Sequence, residues 1–249
     1  MPLTSLLART YLRYVIPVTV LSAIAFSPLL YLAMRVPVPG DANQVNGVVR
    51  TAWLLAGLSL VPLLILVGGV APAVRSIASG APASQLAALR DGAVSLVRAV
   101  LPVGFAVLAM LMGSLALAVP GIALFVLLSL TGATGAPDRD LAARLAASVS
   151  AARANLIAVA LVLVSAIAIT IVALVFLQRG LPMPLPKPVK PELLATFRLF
   201  ARYAMAGIVL VAPLPAIALA ALAQKEAPQR LLLIARRAPA VTADPSART

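Results

Sequence analysis

Long apolar stretches without a charged side chain constrain this chain more than any other feature. Such stretches lie between Arg13 and Arg35, between Arg50 and Arg75, between Arg98 and Asp138, between Arg153 and Arg179, and between Arg202 and Lys225. A helix that crosses about 30 Å of hydrocarbon needs about 20 apolar residues, because it rises about 1.5 Å per residue and bonds its backbone groups internally. The sequence therefore predicts an all-α, polytopic membrane protein.

The number of spans depends on the stretch between Arg98 and Asp138, which is too long for one helix. Pro120 and Gly121 mark a turn inside it, and dividing it there gives six transmembrane helices. The division also places most Lys and Arg residues on one side of the bilayer, as the positive-inside rule requires. The predicted spans are 14–34, 51–74, 99–118, 120–136, 154–178 and 203–224.

The distribution of basic residues also predicts where the protein resides. With six spans, both termini lie on the basic, cytoplasmic side of a bacterial inner membrane. We expect one membrane domain over residues 1–235 and a flexible cytoplasmic tail over residues 236–249, where the sequence becomes polar and rich in Pro, Ala and Thr.

A short sequence pattern occurs twice and indicates an internal repeat. Residues 78–82 recur as residues 133–137, and matching Val-Ser and Arg-Ala pairs follow both copies in one register. A fainter copy at residues 13–18 matches residues 98–103. The pattern predicts three helical hairpins, each preceded by a short amphipathic helix along the cytoplasmic interface. Alternatively, the short helices are N-terminal extensions of the spans that follow.

The composition excludes most catalytic chemistry. The chain has no His and no Cys, which removes imidazole bases, thiolate nucleophiles and the common transition-metal ligands. A net charge of +13 would suggest a nucleic-acid partner in a soluble domain, but only 4% of the residues are aromatic and 62% are hydrophobic. We therefore expect no enzymatic activity, no cofactor, no metal site and no nucleic-acid partner.

Basic residues beside the predicted spans are the candidates for contact with lipid. They are Arg90, Arg98, Arg144, Arg153, Arg236 and Arg237. Arginine side chains in such positions meet anionic lipid head groups. We expect membrane lipids as partners, together with another membrane protein or a second copy of this chain.

Residues that break helices form a second candidate set. They are Pro62, Pro120, Gly121 and Pro213, all within predicted return spans. A proline inside a helix frees a carbonyl, and broken helices line the substrate cavities of transporters. A kink that lets hairpins pack explains the same residues. We expect Ser and Thr in the spans to bond their own helix, and Gly57, Gly68 and Gly69 to allow close packing.

Pro120 and Gly121 open a return span, and a basic helix follows with Leu145, Ser148, Arg153 and Asn155. In these features about residues 100 to 165 resemble the multi-helix membrane domain associated with bacterial glycerophosphodiester phosphodiesterases. The family often has an acidic residue before that helix and a tryptophan inside it. This chain departs from the pattern, with Asp138 and Asp140 before the helix and no tryptophan within it. The resemblance implies a helical membrane module. It implies no phosphodiesterase activity, because that chemistry belongs to a separate soluble domain.

Two functional hypotheses follow from these features. The first is a non-enzymatic scaffold or accessory subunit of a membrane complex, which the repeat and the charge-free spans favour. The second is a transporter or channel component for a neutral or lipidic solute, which the prolines at one depth of the spans favour.

Overall fold

The computed structural model describes residues 3–35, 50, 54–55, 57–116, 118–134, 140–179 and 206–225. These residues form α-helices and turns without a strand, which confirms the all-α class for this part of the chain. The helices are α1 (Leu3–Arg13), α2 (Val15–Arg35), α3 (Leu60–Ala78), α4 (Gln85–Ala116), α5 (Ala118–Leu128), α6 (Leu141–Ala154), α7 (Leu156–Arg179) and α8 (Pro213–Lys225). Arg236, Arg237 and the predicted tail lie outside the described residues.

Four helical segments are long and apolar enough to cross a bilayer. They are Val15–Leu32, Leu60–Ala78, Gln85–Leu115 and Ala206–Gln224, and the bent pair Leu141–Ala154 and Leu156–Val172 adds a fifth if it counts as one span. The predicted span at 120–136 corresponds to the 11-residue helix α5 and the turns at 129–134. The described part of the chain therefore has four or five apolar helices that could span a membrane, while the multi-pass arrangement with six crossings stays a prediction.

Helix α8 lies at the centre of the fold. Every residue from 216 to 223 is buried, and the segment is apolar on all sides, as expected of a helix surrounded by other helices. Helices α1, α2, α3 and α7 pack around it. The alanines of α8 bring these neighbours close, because a small side chain lets helix axes approach.

Glycines allow α3 and α4 to pack at close range. A Cβ placed on Gly69 would lie 3.1 Å from the side chain of Leu96, and one placed on Gly92 would lie 2.8 Å from the carbonyl oxygen of Gly69. The predicted packing role of Gly68 and Gly69 is thus confirmed. For Gly57 the described part of the chain provides no such contact, since none of its atoms lies within 4 Å of a Cβ built there.

The second half of α4 and the segment after it form a hairpin. A Cβ placed on Gly68 would collide with Ala99 and would lie 2.9 Å from the carbonyl oxygen of Gly132. The first arm of the hairpin therefore begins beside Gly68 of α3, and the second arm ends beside the same residue. Near the tip, a Cβ on Gly121 would collide with Ser114, so the turn between the arms is tight.

The short cytoplasmic helices predicted after residues 78–82 and after residues 133–137 have different structures. In the first repeat the segment is the beginning of α4, a continuous helix of 32 residues, so the prediction of a separate helix is wrong there. In the second repeat α6 is separate and makes an angle of 97° with α7. The repeat places Asn155 where the first copy has Val100, and Asn155 ends α6 with a backbone N–H bond to the Ala152 carbonyl.

Candidate functional site: a basic boundary and proline breaks

The four described arginines of the lipid-contact set lie on α4 and α6. Arg90, Arg98 and Arg153 are exposed, while Arg144 is half-buried. The structure brings Arg144 to Arg98, since Nη1 of Arg144 donates a hydrogen bond of 3.4 Å to the Arg98 carbonyl oxygen. This contact connects the first turn of α6 to the middle of α4.

The Arg98 carbonyl needs a donor from elsewhere because of Pro102. In a regular helix the N–H of residue 102 would bond this oxygen, but proline has no N–H. Arg144 supplies the missing donor. The corresponding Arg-to-Pro spacing at the start of α2 is completed in the same way, since Nε2 of Gln85 donates a 2.8 Å hydrogen bond to the carbonyl of Arg13, four residues before Pro17.

The environment of Arg144 leaves part of its guanidinium unsatisfied. Its Nε is buried and has no hydrogen-bond partner. Its main chain is well held, because the backbone N–H bonds the Asp140 carbonyl at 3.1 Å and the Thr134 hydroxyl donates to the Arg144 carbonyl at 3.2 Å. Hydrogen bonds therefore hold the backbone of α6 at Arg144, whereas the guanidinium of Arg144 lacks part of its hydrogen bonding.

Two further proline-freed carbonyls also accept side-chain donors. Oγ of Ser22 on α2 donates a 2.7 Å hydrogen bond to the carbonyl of Val209, four residues before Pro213. Within α2, Oγ of Ser27 donates a 2.8 Å hydrogen bond to Ile24, four residues before Pro28. Satisfying such carbonyls matters most in hydrocarbon, where no water replaces the lost donor.

Pro62 lies in the first turn of α3 and Pro213 begins α8, and both prolines stand beside one cavity. Residues beside them, Leu63 and Ala212, line a cavity of about 20 Å³ between α2, α3, α7 and the start of α8. Such a volume holds about one water molecule. Pro120 lies elsewhere, exposed on α5, so the structure does not bring the third break to the same cavity.

Hydroxyl groups in the helices mostly bond their own backbone, as predicted. Ser114, Ser129, Ser165 and Thr170 each donate to a carbonyl three or four residues earlier, at 2.7 to 3.1 Å. Thr170 lines the cavity, but its hydroxyl is used in this way. Ser22 on α2 and Ser148 on α6 are exceptions, since they donate to the Val209 and Leu127 carbonyls of other segments.

Sequence analysis missed several residues that bond across the fold. Gln85 and Ser22 both donate to carbonyls four residues before a proline, which is a recognisable position in the sequence. Tyr14 is also buried, and its hydroxyl donates a 3.0 Å hydrogen bond to the Ala83 carbonyl. In the sequence, an aromatic residue between two apolar segments is a weaker indication of this contact.

The part of the chain described here contains no group of three or more His, Cys, Asp or Glu residues that could hold a metal ion. Comparison of the chain with protein-family models, curated proteins and solved structures found no match.

Proposed function

We propose that this protein is a non-enzymatic scaffold or accessory subunit that binds another membrane protein through the hairpin of α4 and α5. The observation that carries the proposal is the exposure of the hairpin tip. Among the residues at 107–115 and 119–124, whose side-chain burial the structure describes, only Gly121 is buried. Large apolar side chains cover the tip, including Leu111 at 58% and Leu115 at 81% exposure.

The hairpin tip suits helix packing because it is apolar and tightly folded. Gly113 and Gly121 bring the two arms together, which fixes the relative position of the exposed side chains. In lipid, helices associate through close packing rather than through the hydrophobic effect, so a rigid surface is favoured over a mobile one. The hairpin therefore provides a preformed surface for a helix of a partner protein.

The orientation we propose follows the basic residues. With Arg90, Arg98, Arg144 and Arg153 on the cytoplasmic side of a bacterial inner membrane, six crossings leave both termini in the cytoplasm. In this orientation the hairpin tip points towards the opposite leaflet. The resemblance to the membrane domain associated with glycerophosphodiester phosphodiesterases supports a membrane module without catalytic chemistry of its own.

The hairpin surface can be tested by its effect on the mass of the purified particle. The protein would be extracted into lipid nanodiscs without detergent, and its mass and co-purifying proteins measured. The double variant Leu111→Ala with Leu115→Ala should lose the partner. A matched control is Leu161→Ala with Val164→Ala on α7, whose side chains are 64% and 61% exposed.

The control variant should retain the partner if the hairpin is the binding surface. A wild-type particle that contains one copy of the chain and no other protein would contradict the proposal. Equal loss of partner in both double variants would contradict the assignment to the hairpin.

A second function, transport of a neutral or lipidic solute, is favoured by the cavity beside Pro62 and Pro213. A transported solute would need the cavity to enlarge, and the broken start of α8 is the element that could move. Flux of a neutral solute such as glycerol into proteoliposomes tests this function. Flux that is lost in Pro213→Ala and kept in Pro120→Ala would favour transport over the scaffold.

A further inference from the structure

Arg98 marks a boundary on the exposed surface of α4. Before it, Arg90 and Asp91 are exposed, and after it the helix carries no charged residue up to its end at Ala116. The apolar part from residue 99 is about 27 Å long at 1.5 Å per residue, close to the thickness of the hydrocarbon core. Arg98 therefore lies where a lipid head group would meet the helix.

Arg144 brings a second guanidinium to this boundary. Its Nη1 bonds the Arg98 carbonyl at 3.4 Å, which is at the long end of the hydrogen-bond range, and its Nε has no acceptor. An unpaired N–H on a buried cation is costly. The acidic residues of the described ranges are Asp91 and Asp140, and neither of them bonds the Arg144 guanidinium.

We infer that Arg98 and Arg144 together bind the phosphate of one anionic phospholipid. The inference rests on the proposed membrane function and adds the chemical class of its lipid ligand. A phosphate supplies the negative charge that neither described acidic residue brings to this pair of cations, and a guanidinium bonds phosphate through parallel N–H groups. Nη1 of Arg144 stays on the Arg98 carbonyl and its Nε is buried, so Nη2 of Arg144 meets the phosphate together with the Arg98 guanidinium.

Apolar side chains beside Arg98 favour a lipid over free phosphate. Val97 and Leu101, on either side of it in the helix, are 70% and 65% exposed. They offer a surface to the acyl chains of the same molecule whose phosphate binds the arginines. Inorganic phosphate would contact the arginines but not these apolar side chains.

The test uses native mass spectrometry of the full-length protein in detergent, titrated separately with phosphatidylglycerol and phosphatidylcholine. The wild type should bind a first phosphatidylglycerol molecule more tightly than any further lipid molecule. In Arg144→Gln that first site should weaken about tenfold, as expected for the loss of one charge-assisted hydrogen bond. Arg98→Gln should weaken it similarly. Arg9→Gln, a change of an exposed arginine on α1, should leave it unchanged.

The controls separate the lipid site from its alternatives. Arg144→Lys keeps the charge without the fork and should bind less tightly than the wild type, whereas equal binding would show that charge alone is sufficient and would overturn the site. Equal weakening in Arg9→Gln would also overturn it. Displacement of the first lipid by millimolar inorganic phosphate would assign the site to free phosphate instead.

The outcome of this test does not depend on whether one variant folds. It also does not depend on whether the proposed protein partner exists. If Arg144→Gln fails to fold, Arg98→Gln decides the outcome, because the Arg98 side chain is exposed and its carbonyl remains. A wild-type particle without a protein partner would contradict the scaffold proposal and leave the lipid measurement intact. Conversely, loss of the lipid site would leave the partner measurement intact.

Discussion

Ser22 on α2 donates a 2.7 Å hydrogen bond to the carbonyl oxygen of Val209, the acceptor that Pro213 deprives of its helical donor. The bond joins two helices far apart in sequence at the point where one of them is broken. It satisfies a backbone group in the apolar interior, and it fixes the position of α2 against the helical turn that precedes α8.

Ser22→Ala should destabilise the protein by about 1 kcal/mol, because it leaves the Val209 carbonyl without a donor. The free energy of unfolding in bicelles would measure this. Ser165→Ala is the matched control and should have little effect, since Ser165 is exposed and bonds the Val162 carbonyl of its own helix. In a Pro213→Ala background the residue at 213 supplies the N–H, so the effect of Ser22→Ala should disappear. An unchanged effect in that background would contradict our account of the bond.

Gln85→Glu should be more destabilising than Gln224→Glu. Both side chains donate Nε2 to a carbonyl, Gln85 to Arg13 at 2.8 Å and Gln224 to Ala71 at 3.0 Å. The Arg13 carbonyl has lost its helical donor to Pro17, whereas the residue four after Ala71 is Arg75, which has an N–H. Thermal unfolding at neutral pH would compare the two variants. An equal loss of stability in both variants would indicate that the missing helical donor of the Arg13 carbonyl does not make the bond from Gln85 more important.

Gly68→Ala should destabilise the protein by about 1 to 3 kcal/mol, because the added methyl would collide with Ala99 and with the backbone near Gly132. Gly104→Ala on the exposed face of α4 is the control, since nothing lies within 4 Å of its new Cβ. That change should be neutral or stabilising, because alanine is the better helix former. Chemical unfolding of both variants checks the prediction, and a neutral Gly68→Ala would contradict the close packing of α3 with the hairpin.

Asn155→Val should straighten the junction between α6 and α7, because it replaces the residue that ends α6 by the one found in the first repeat. The chain has no Cys, so spin labels can be attached specifically to cysteines introduced at residues 146 and 165. Their separation should rise from about 19 Å across the bend to about 28 Å in a straight helix. An unchanged distance would show that packing of α6, including the 2.9 Å bond from Ser148 to the Leu127 carbonyl, holds the bend.

The sequence predicted the parts of the fold that depend on local chemistry. Charge-free apolar stretches identified helices that are long and apolar enough to span a membrane. Ser114 and Thr170 each bond their own helix because an acceptor lies within reach one turn earlier. Gly68 could be assigned to packing, but its neighbours could not be named. The residues that pack against a glycine come from distant parts of the chain, which a single sequence does not reveal.

The candidate site was only half predictable for the same reason. Arg98 and Arg144 were each identified by their position beside an apolar stretch. Their contact was not, because it depends on the bend at Asn155 and on the carbonyl that Pro102 frees. The continuous α4 and the broken α6 with α7 differ although their sequences repeat, and the residue at the break is Asn155 where the first copy has Val100.

The central place of α8 has a consequence for biosynthesis. Among the described helices it comes after all the others in chain order, yet its segment from 216 to 223 is enclosed by them. The earlier helices therefore enter the membrane before the element that they surround. Until the ribosome has delivered α8, the earlier helices lack the segment that fills the space between them.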